Sequence, residues 1–356
     1  GLLLMVVGAV TIVAAVTAAL LQKDLKRLLS FNAVGQVGYM VLGIGTGVPI
    51  GVAGGIFHML NHALYECCFF LCSGNVEHRV RTTNLDKLGG LARYMPVTFG
   101  ATVVAAFAVS GIPPLNGFFS KWMVYQGTIE SASWSAYGAA DQGTVANPVW
   151  WIFLTAAMFG GALTMATFIK VLYSVFFGSK PEALGEPKDV AWPMAVPVVI
   201  LALLCITFGV LATIPVGWIE YALPRGQELV SSVGLWQPGL GAVLLILSLL
   251  AGAVAYWLSK KSWQQEAEMF VGGESMDDDE TRVLGSQFYS PLKHLAALGA
   301  IQKAAARGTF DIYEQLRHGG GAFVQAFRRL HTGVLTTYLY WIALGIVLLL
   351  FAMIGG

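Results

Sequence analysis

The sequence predicts an all-α, polytopic membrane helix bundle, and three observations carry that reading. Hydrophobic residues form 56% of the 356-residue chain and charged residues only 12%, about half of the ~25% charge typical of a soluble domain. The mean hydropathy is +0.68. The apolar residues also fall into runs of about 20, the length a helix needs to cross a bilayer core of ~30 Å. Lipid is therefore the expected main solvent. The net charge is +1 and no basic block is present, so nucleic acid is not an expected partner. The cysteines Cys67, Cys68, Cys72 and Cys205 lie in apolar runs. They read as small buried thiols rather than a disulfide framework, redox centre or metal site.

Eight crossings are expected in order, at 1–22, 29–48, 51–76, 96–126, 147–177, 191–214, 236–258 and 335–354. The fourth run is interrupted at Gly111-Ile-Pro-Pro-Leu-Asn-Gly117, because proline cannot continue a helical hydrogen-bond ladder. Counting it as one broken crossing puts Lys23, Lys26, Arg27, Arg79, Arg81, Lys87, Arg93, Lys180, Lys188, Lys260 and Lys261 on one side. The positive-inside rule makes that side cytoplasmic. Both termini then lie on the opposite side, where Glu220 and Arg225 read as solvated. The stretch 260–334 is polar, with scattered apolar positions, and reads as an amphipathic surface segment on the cytoplasmic face. The organisation expected is a five-helix unit over 1–178, two further crossings over 179–259, the lateral segment 260–334 and a last crossing over 335–356. No signal peptide is read at the start, and the chain is expected to begin inside something longer.

Ionisable residues inside spanning helices are expensive and mark functional sites by default. His58, His62 and Glu66 are spaced i, i+4, i+8 in the third run, which puts them on one stripe over about 12 Å of helix. Such a row can pass a proton through side chains and intervening water, and histidine titrates near neutral pH. Lys121 follows the Pro113-Pro114 interruption, where non-helical backbone at membrane depth is tolerated only if buried in protein or lining a cavity. Lys26 reads either as a membrane-edge anchor or as the mouth of a proton path. Asp24 reads as structural, by pairing or by capping a helix, and Lys170 as interfacial. The sequence holds no phosphate-binding loop, no dinucleotide fingerprint and no iron–sulfur cysteine framework. No cofactor, metal or redox centre is expected in this chain.

Four runs of sequence carry a family resemblance: Gln22-Lys-Asp-Leu-Lys-Arg-Leu-Leu-Ser-Phe-Asn-Ala-Val-Gly-Gln-Val-Gly-Tyr39, Phe57-His-Met-Leu-Asn-His62, Lys87-Leu-Gly-Gly-Leu91 and Ser110-Gly-Ile-Pro-Pro-Leu-Asn-Gly-Phe-Phe-Ser-Lys121. Together they resemble the antiporter-like proton-translocating subunits of respiratory complex I. The same fold occurs in Mrp-type cation/proton antiporters and membrane-bound energy-converting hydrogenases. The resemblance covers about residues 1–178, with a tail similar to the lateral helix of the distal complex I subunit. Phe270-Val-Gly-Gly-Glu274 and Gly308-Thr-Phe-Asp-Ile-Tyr313 tilt it towards the hydrogenase branch.

The family has two inverted five-helix repeats, and the resemblance implies that this chain begins at the second. The resemblance implies that a first half, with its own glutamate and lysine, lies elsewhere. It assigns His58 and His62 to the family's histidine pair, Lys121 to its terminal lysine and Lys26 to a frequent lysine. Glu66 departs from the pattern, standing where the family usually has lysine. The expected function is proton or sodium translocation in a prokaryotic cytoplasmic membrane, driven by redox chemistry in other subunits. Expected partners are sister antiporter-like subunits and a hydrophilic electron-transfer arm, embedded in the lipid bilayer. The alternatives are an Mrp-type antiporter subunit, a non-conducting membrane scaffold, and a subunit of a complex that imports inorganic carbon.

Overall fold

The computed structural model describes residues 1–132, 149–178 and 180–222, with isolated positions beyond them. The chain divides into two units, Gly1–Ser290 and Pro291–Gly356, and the description below concerns the first. The expected crossings at 236–258 and 335–354, and the lateral segment 260–334, lie outside the described residues.

The described residues are helical, without a strand. In chain order they form α1 (Leu2–Leu20), α2 (Leu25–Gly45), α3 (Pro49–Val80), α4 (Pro96–Ser110), α5 (Asn116–Glu130), α6 (Trp150–Leu172), α7 (Trp192–Val210) and α8 (Thr213–Ala222). A π turn, Tyr173–Phe177, extends α6. Four helices among the described residues are long and apolar enough to cross a membrane: Leu2–Leu20, Leu25–Gly45, Trp150–Phe177 and Trp192–Val210. Large apolar side chains stand on the outside, with Leu3 and Trp192 each 75% exposed. A soluble protein would not carry so much of this surface.

The helix bounds depart from the periodicity for identifiable reasons. α2 starts four residues before the expected 29, because the Asp24 carboxylate caps it by accepting the Arg27 N–H at 3.0 Å. A side-chain oxygen at that position satisfies a donor that the first turn leaves free. Asp24 also accepts the Thr83 hydroxyl, and two backbone bonds, Leu25 N to Thr83 O and Leu85 N to Lys23 O, dock the α1–α2 corner on the loop after α3. This is the structural role expected of Asp24. α3 runs on to Val80 because its last turns are held by neighbours: Arg79 donates to the Asp189 carbonyl at 2.6 Å. The expected crossing at 191–214 stops at Val210, and a separate α8 follows. Val216 and Ile219 of α8 are buried in one cluster with Phe57 and Met123.

α3 is the central element, packed against α2, α4, α5 and α7, while α1 lies along α2 and α6. Its approach to α5 depends on Gly51 and Gly127. A Cβ on Gly127 would lie 2.3 Å from the Gly51 Cα, so only glycine allows the two backbones to meet. Of the cysteines, Cys68, Cys72 and Cys205 are buried as expected, but Cys67 is exposed. It lies one residue from the buried Cys68, so the helical turn carries it to the outward face, where lipid accepts a thiol as readily as a core does.

Candidate functional site

The break in the fourth run separates α4 from α5 over Gly111–Leu115. In a continuous helix the Val109 carbonyl would accept the N–H of residue 113. That residue is Pro113, which has none. The carbonyl instead accepts the Lys121 Nζ at 2.7 Å. The proline therefore creates the acceptor that holds the lysine. Lys121 is 2% exposed, and its ammonium sits 4.7 Å from the centre of the Tyr39 ring, a cation–π distance. Tyr39 is fixed in turn by donating its hydroxyl to the Ala157 carbonyl on α6 at 2.5 Å. Gly117 lets α5 start so close to α4, since a Cβ there would fall 1.9 Å from the Ala108 oxygen.

His58 is fully buried. Its Nδ1 lies 2.9 Å from the Ser120 Oγ, beside Lys121, and its Nε2 lies 3.3 Å from both the Gln36 Oε1 and the Tyr65 hydroxyl. Gln36 donates its amide to the Asn32 Oδ1 at 3.2 Å, and Asn32 is the polar neighbour of the Glu66 carboxylate. His62 Nδ1 stands 3.8 Å from the Glu66 Oε2. Polar side chains thus follow one another from Lys121 and Ser120, through His58, Gln36 and Asn32, to Glu66 and His62. Asn32 Nδ2, His62 Nδ1 and both Glu66 oxygens are buried and without a protein hydrogen-bond partner. Such groups are where internal water is stabilised.

His58, His62, Glu66 and Lys121 therefore lie in one region of the bundle, while Lys26 lies apart. Its Nζ pairs with the Glu77 Oε2 at 2.5 Å, and both side chains are nearly half exposed. Glu77 is eleven residues beyond Glu66 on α3, about 16 Å further along the axis. Lys170 differs from its interfacial reading. It is 3% exposed and donates to the carbonyls of Leu20 and Gln22 at 2.9 and 2.6 Å. The end of α1 leaves carbonyls without helical donors, and the lysine is drawn inward to them.

Asn32, Gln36, Ser120, Tyr39 and Tyr65 were not among the sequence candidates. A signal was present: Asn32 and Gln36 are polar, lie four apart in an apolar run and so share a helix face.

Residues 2–145 match the family model described as NADH:quinone oxidoreductase/Mrp antiporter, TM. Hydrogenase-4 component B of Escherichia coli (strain K12) is 32% identical over 226 residues, covering 60% of this chain and 32% of that protein. Over residues 2–145 the chain carries the antiporter-like membrane region of that family. Formate hydrogenlyase subunit 3 of the same organism is 30% identical over 263 residues, covering 70% of this antiporter-like chain and 42% of the relative. The chain thus spans less than half the length of either relative. Its fold is also that of a chain in the membrane-bound sulfane sulfur reductase, an archaeal respiratory membrane complex. The TM-score is 0.75 at 24% identity, covering 98% of this chain and 56% of that one. The chain is an integral membrane protein with the fold expected from its sequence.

Proposed function

We propose that this antiporter-like subunit translocates protons through the buried polar row of His58, His62, Glu66 and Lys121, driven by redox chemistry in partner subunits. The observation that carries the reading is the contact of His58 with Ser120, next to Lys121 at the break. It joins a titratable group on the central helix to the residue before a buried ammonium on the interrupted one. Gln36 and Asn32 extend the row to Glu66, and bridging water completes it at the unpartnered atoms. Partner subunits that change the local charge or hydration shift proton affinities along the row and move protons in one direction. The energies are adequate. Moving one charge against 100 mV costs about 2.3 kcal/mol, and a change of two pKa units supplies about 2.7 kcal/mol.

In this reading the chain holds no redox centre of its own. It works beside sister antiporter-like subunits and a hydrophilic electron-transfer arm in a prokaryotic cytoplasmic membrane. Both termini lie outside and 260–334 runs along the cytoplasmic face. The five-helix unit over 1–178 forms the path, with 179–259, 260–334 and 335–356 as the accompanying segments. Lys26, paired with Glu77 at the end of α3, serves as a membrane-edge anchor. The relatives named as hydrogenase and formate hydrogenlyase components favour a redox partner. The alternative, an Mrp-type cation/proton antiporter subunit carrying protons or sodium without redox input, draws on the family description.

The test is reconstitution of the assembled complex with Lys121→Ala and, separately, Glu66→Gln, measuring proton uptake against electron-transfer turnover. The proposal expects uptake to fall in both while electron transfer continues. Full uptake in both variants would remove these residues from the path. Transport that persists without electron flow would favour the Mrp-type reading.

A further inference from the structure

A cavity of about 600 Å³ opens between the end of α3 and the start of α7. α3 has 32 residues and is about 48 Å long, so it extends well past the ~30 Å hydrocarbon core. The cavity lies along the C-terminal end of α3, from Phe70 to Arg81. Its inner wall is apolar, formed by Phe70 and Leu71 of α3 with Met194 and Pro197 of α7, and its rim holds His78 and Arg81. Trp192, just before Pro193, is 75% exposed, in keeping with the aromatic belt at a membrane–water interface.

The charge at the rim is one-sided. Glu77, the acid among the lining residues, is neutralised by Lys26 at 2.5 Å. Arg81 is exposed, held in the left-handed conformation that closes α3 (φ 59°), with its N–H on the Glu77 carbonyl. Pro197 lies inside α7 and has no N–H, so the Pro193 carbonyl one turn earlier has no helical donor. A hydroxyl-bearing group entering the cavity would find an acceptor there. An apolar slot rimmed by the Arg81 guanidinium and the hydrogen-bonding His78 imidazole matches one class of molecule in a bilayer, an anionic phospholipid.

We propose that the α3–α7 cavity is a binding site for an anionic glycerophospholipid, with its phosphate on Arg81 and His78 and an acyl chain against Phe70, Leu71 and Pro197. The site is separate from the polar row and does not depend on the proposed transport activity. Its volume is within the range of small-molecule sites, roughly 300–1,000 Å³.

Gly74 supplies a way to fill the slot without touching the charges. It lines the cavity, and a Cβ added there meets nothing within 4 Å. The test uses the full chain in its native assembly, placed in nanodiscs of phosphatidylcholine with a minor fraction of phosphatidylglycerol. Native mass spectrometry counts the phosphatidylglycerol retained after the disc is removed. The wild type is expected to retain it. His78→Ala with Arg81→Ala is expected to lower its affinity by about fivefold or more, as for the loss of one basic contact at a membrane surface. Gly74→Phe is expected to lower it comparably, and Lys188→Ala, an exposed base nearby in sequence, to leave it unchanged. Loss in the double variant but not in Gly74→Phe would reduce the effect to surface attraction and overturn the site. Retention in every variant would do the same, leaving the cavity to a segment of a partner protein. Displacement of phosphatidylglycerol by millimolar inorganic phosphate would make the ligand a free anion and overturn the lipid assignment.

Discussion

The Lys121 ammonium donates to the Val109 carbonyl at 2.7 Å across the break between α4 and α5. The carbonyl is available because Pro113 has no N–H to fill it. The buried cation is thus stabilised by a backbone group that the break itself releases.

This relationship separates two roles of Lys121. Lys121→Arg keeps a cation and a donor for Val109, but a guanidinium does not release its proton. The expected outcome is a folded, assembled subunit without proton uptake. Lys121→Met removes the donor as well and leaves a buried carbonyl unpaired, at a cost of about 1–3 kcal/mol. Thermal unfolding should therefore fall in the methionine variant more than in the arginine variant, with uptake absent from both.

Glu66 is buried with both oxygens unpartnered by protein, in reach of His62 at 3.8 Å. Glu66→Gln keeps the shape and removes the titratable carboxyl that the proposed path uses. Uptake is expected to drop by about two orders of magnitude, within the range ascribed to a positioned proton-transfer group. Glu66→Lys puts another titratable group at the same place and should restore part of the uptake. Proteoliposome pH-dye quenching measures both.

Gln36 bridges the row, its Oε1 accepting from the His58 Nε2 at 3.3 Å and its amide nitrogen donating to Asn32 at 3.2 Å. Gln36→Leu is similar in size and breaks both links. A slower uptake with unaltered assembly is the expected result, about tenfold if one to two net hydrogen bonds of ~1 kcal/mol are lost. Uptake equal to wild type would place the proton route elsewhere than α2.

Lys170 ties α6 to the end of α1 through the carbonyls of Leu20 and Gln22. Lys170→Ala should destabilise the bundle by about 1–3 kcal/mol, as for a buried acceptor left unpaired. Uptake per assembled subunit should change little. A denaturation midpoint paired with a per-subunit uptake assay distinguishes this from a place in the path.

Lys26 and Glu77 are each nearly half exposed although their charged atoms approach to 2.5 Å. An exposed pair contributes about 0.2–1 kcal/mol, so Lys26→Ala should shift stability only slightly and leave uptake intact. A loss of uptake as large as that of Lys121→Arg would instead make Lys26 the mouth of the path.

Much of this was readable from residue order. The spacing of His58, His62 and Glu66 places them on one helix, the run Gly111–Gly117 announces the break, and Asp24 is a recognisable cap. Lys170 reads as interfacial from the sequence because its position near the end of an apolar run is all that composition reports. Its inward course follows from where α1 ends, which is a matter of packing.

Composition and periodicity establish a helical membrane protein, its approximate crossings and its scarce titratable residues, because lipid admits few other structures and penalises every buried charge. They do not distinguish the inside of the bundle from its outside. In lipid both faces of a helix are apolar, so hydropathy has little direction to report. The joining of Ser120 to His58, of Gln36 to Asn32 and of Lys121 to Val109 depends on how α2, α3 and α5 pack, and close contacts such as Gly51 with Gly127 are what bring those helices together.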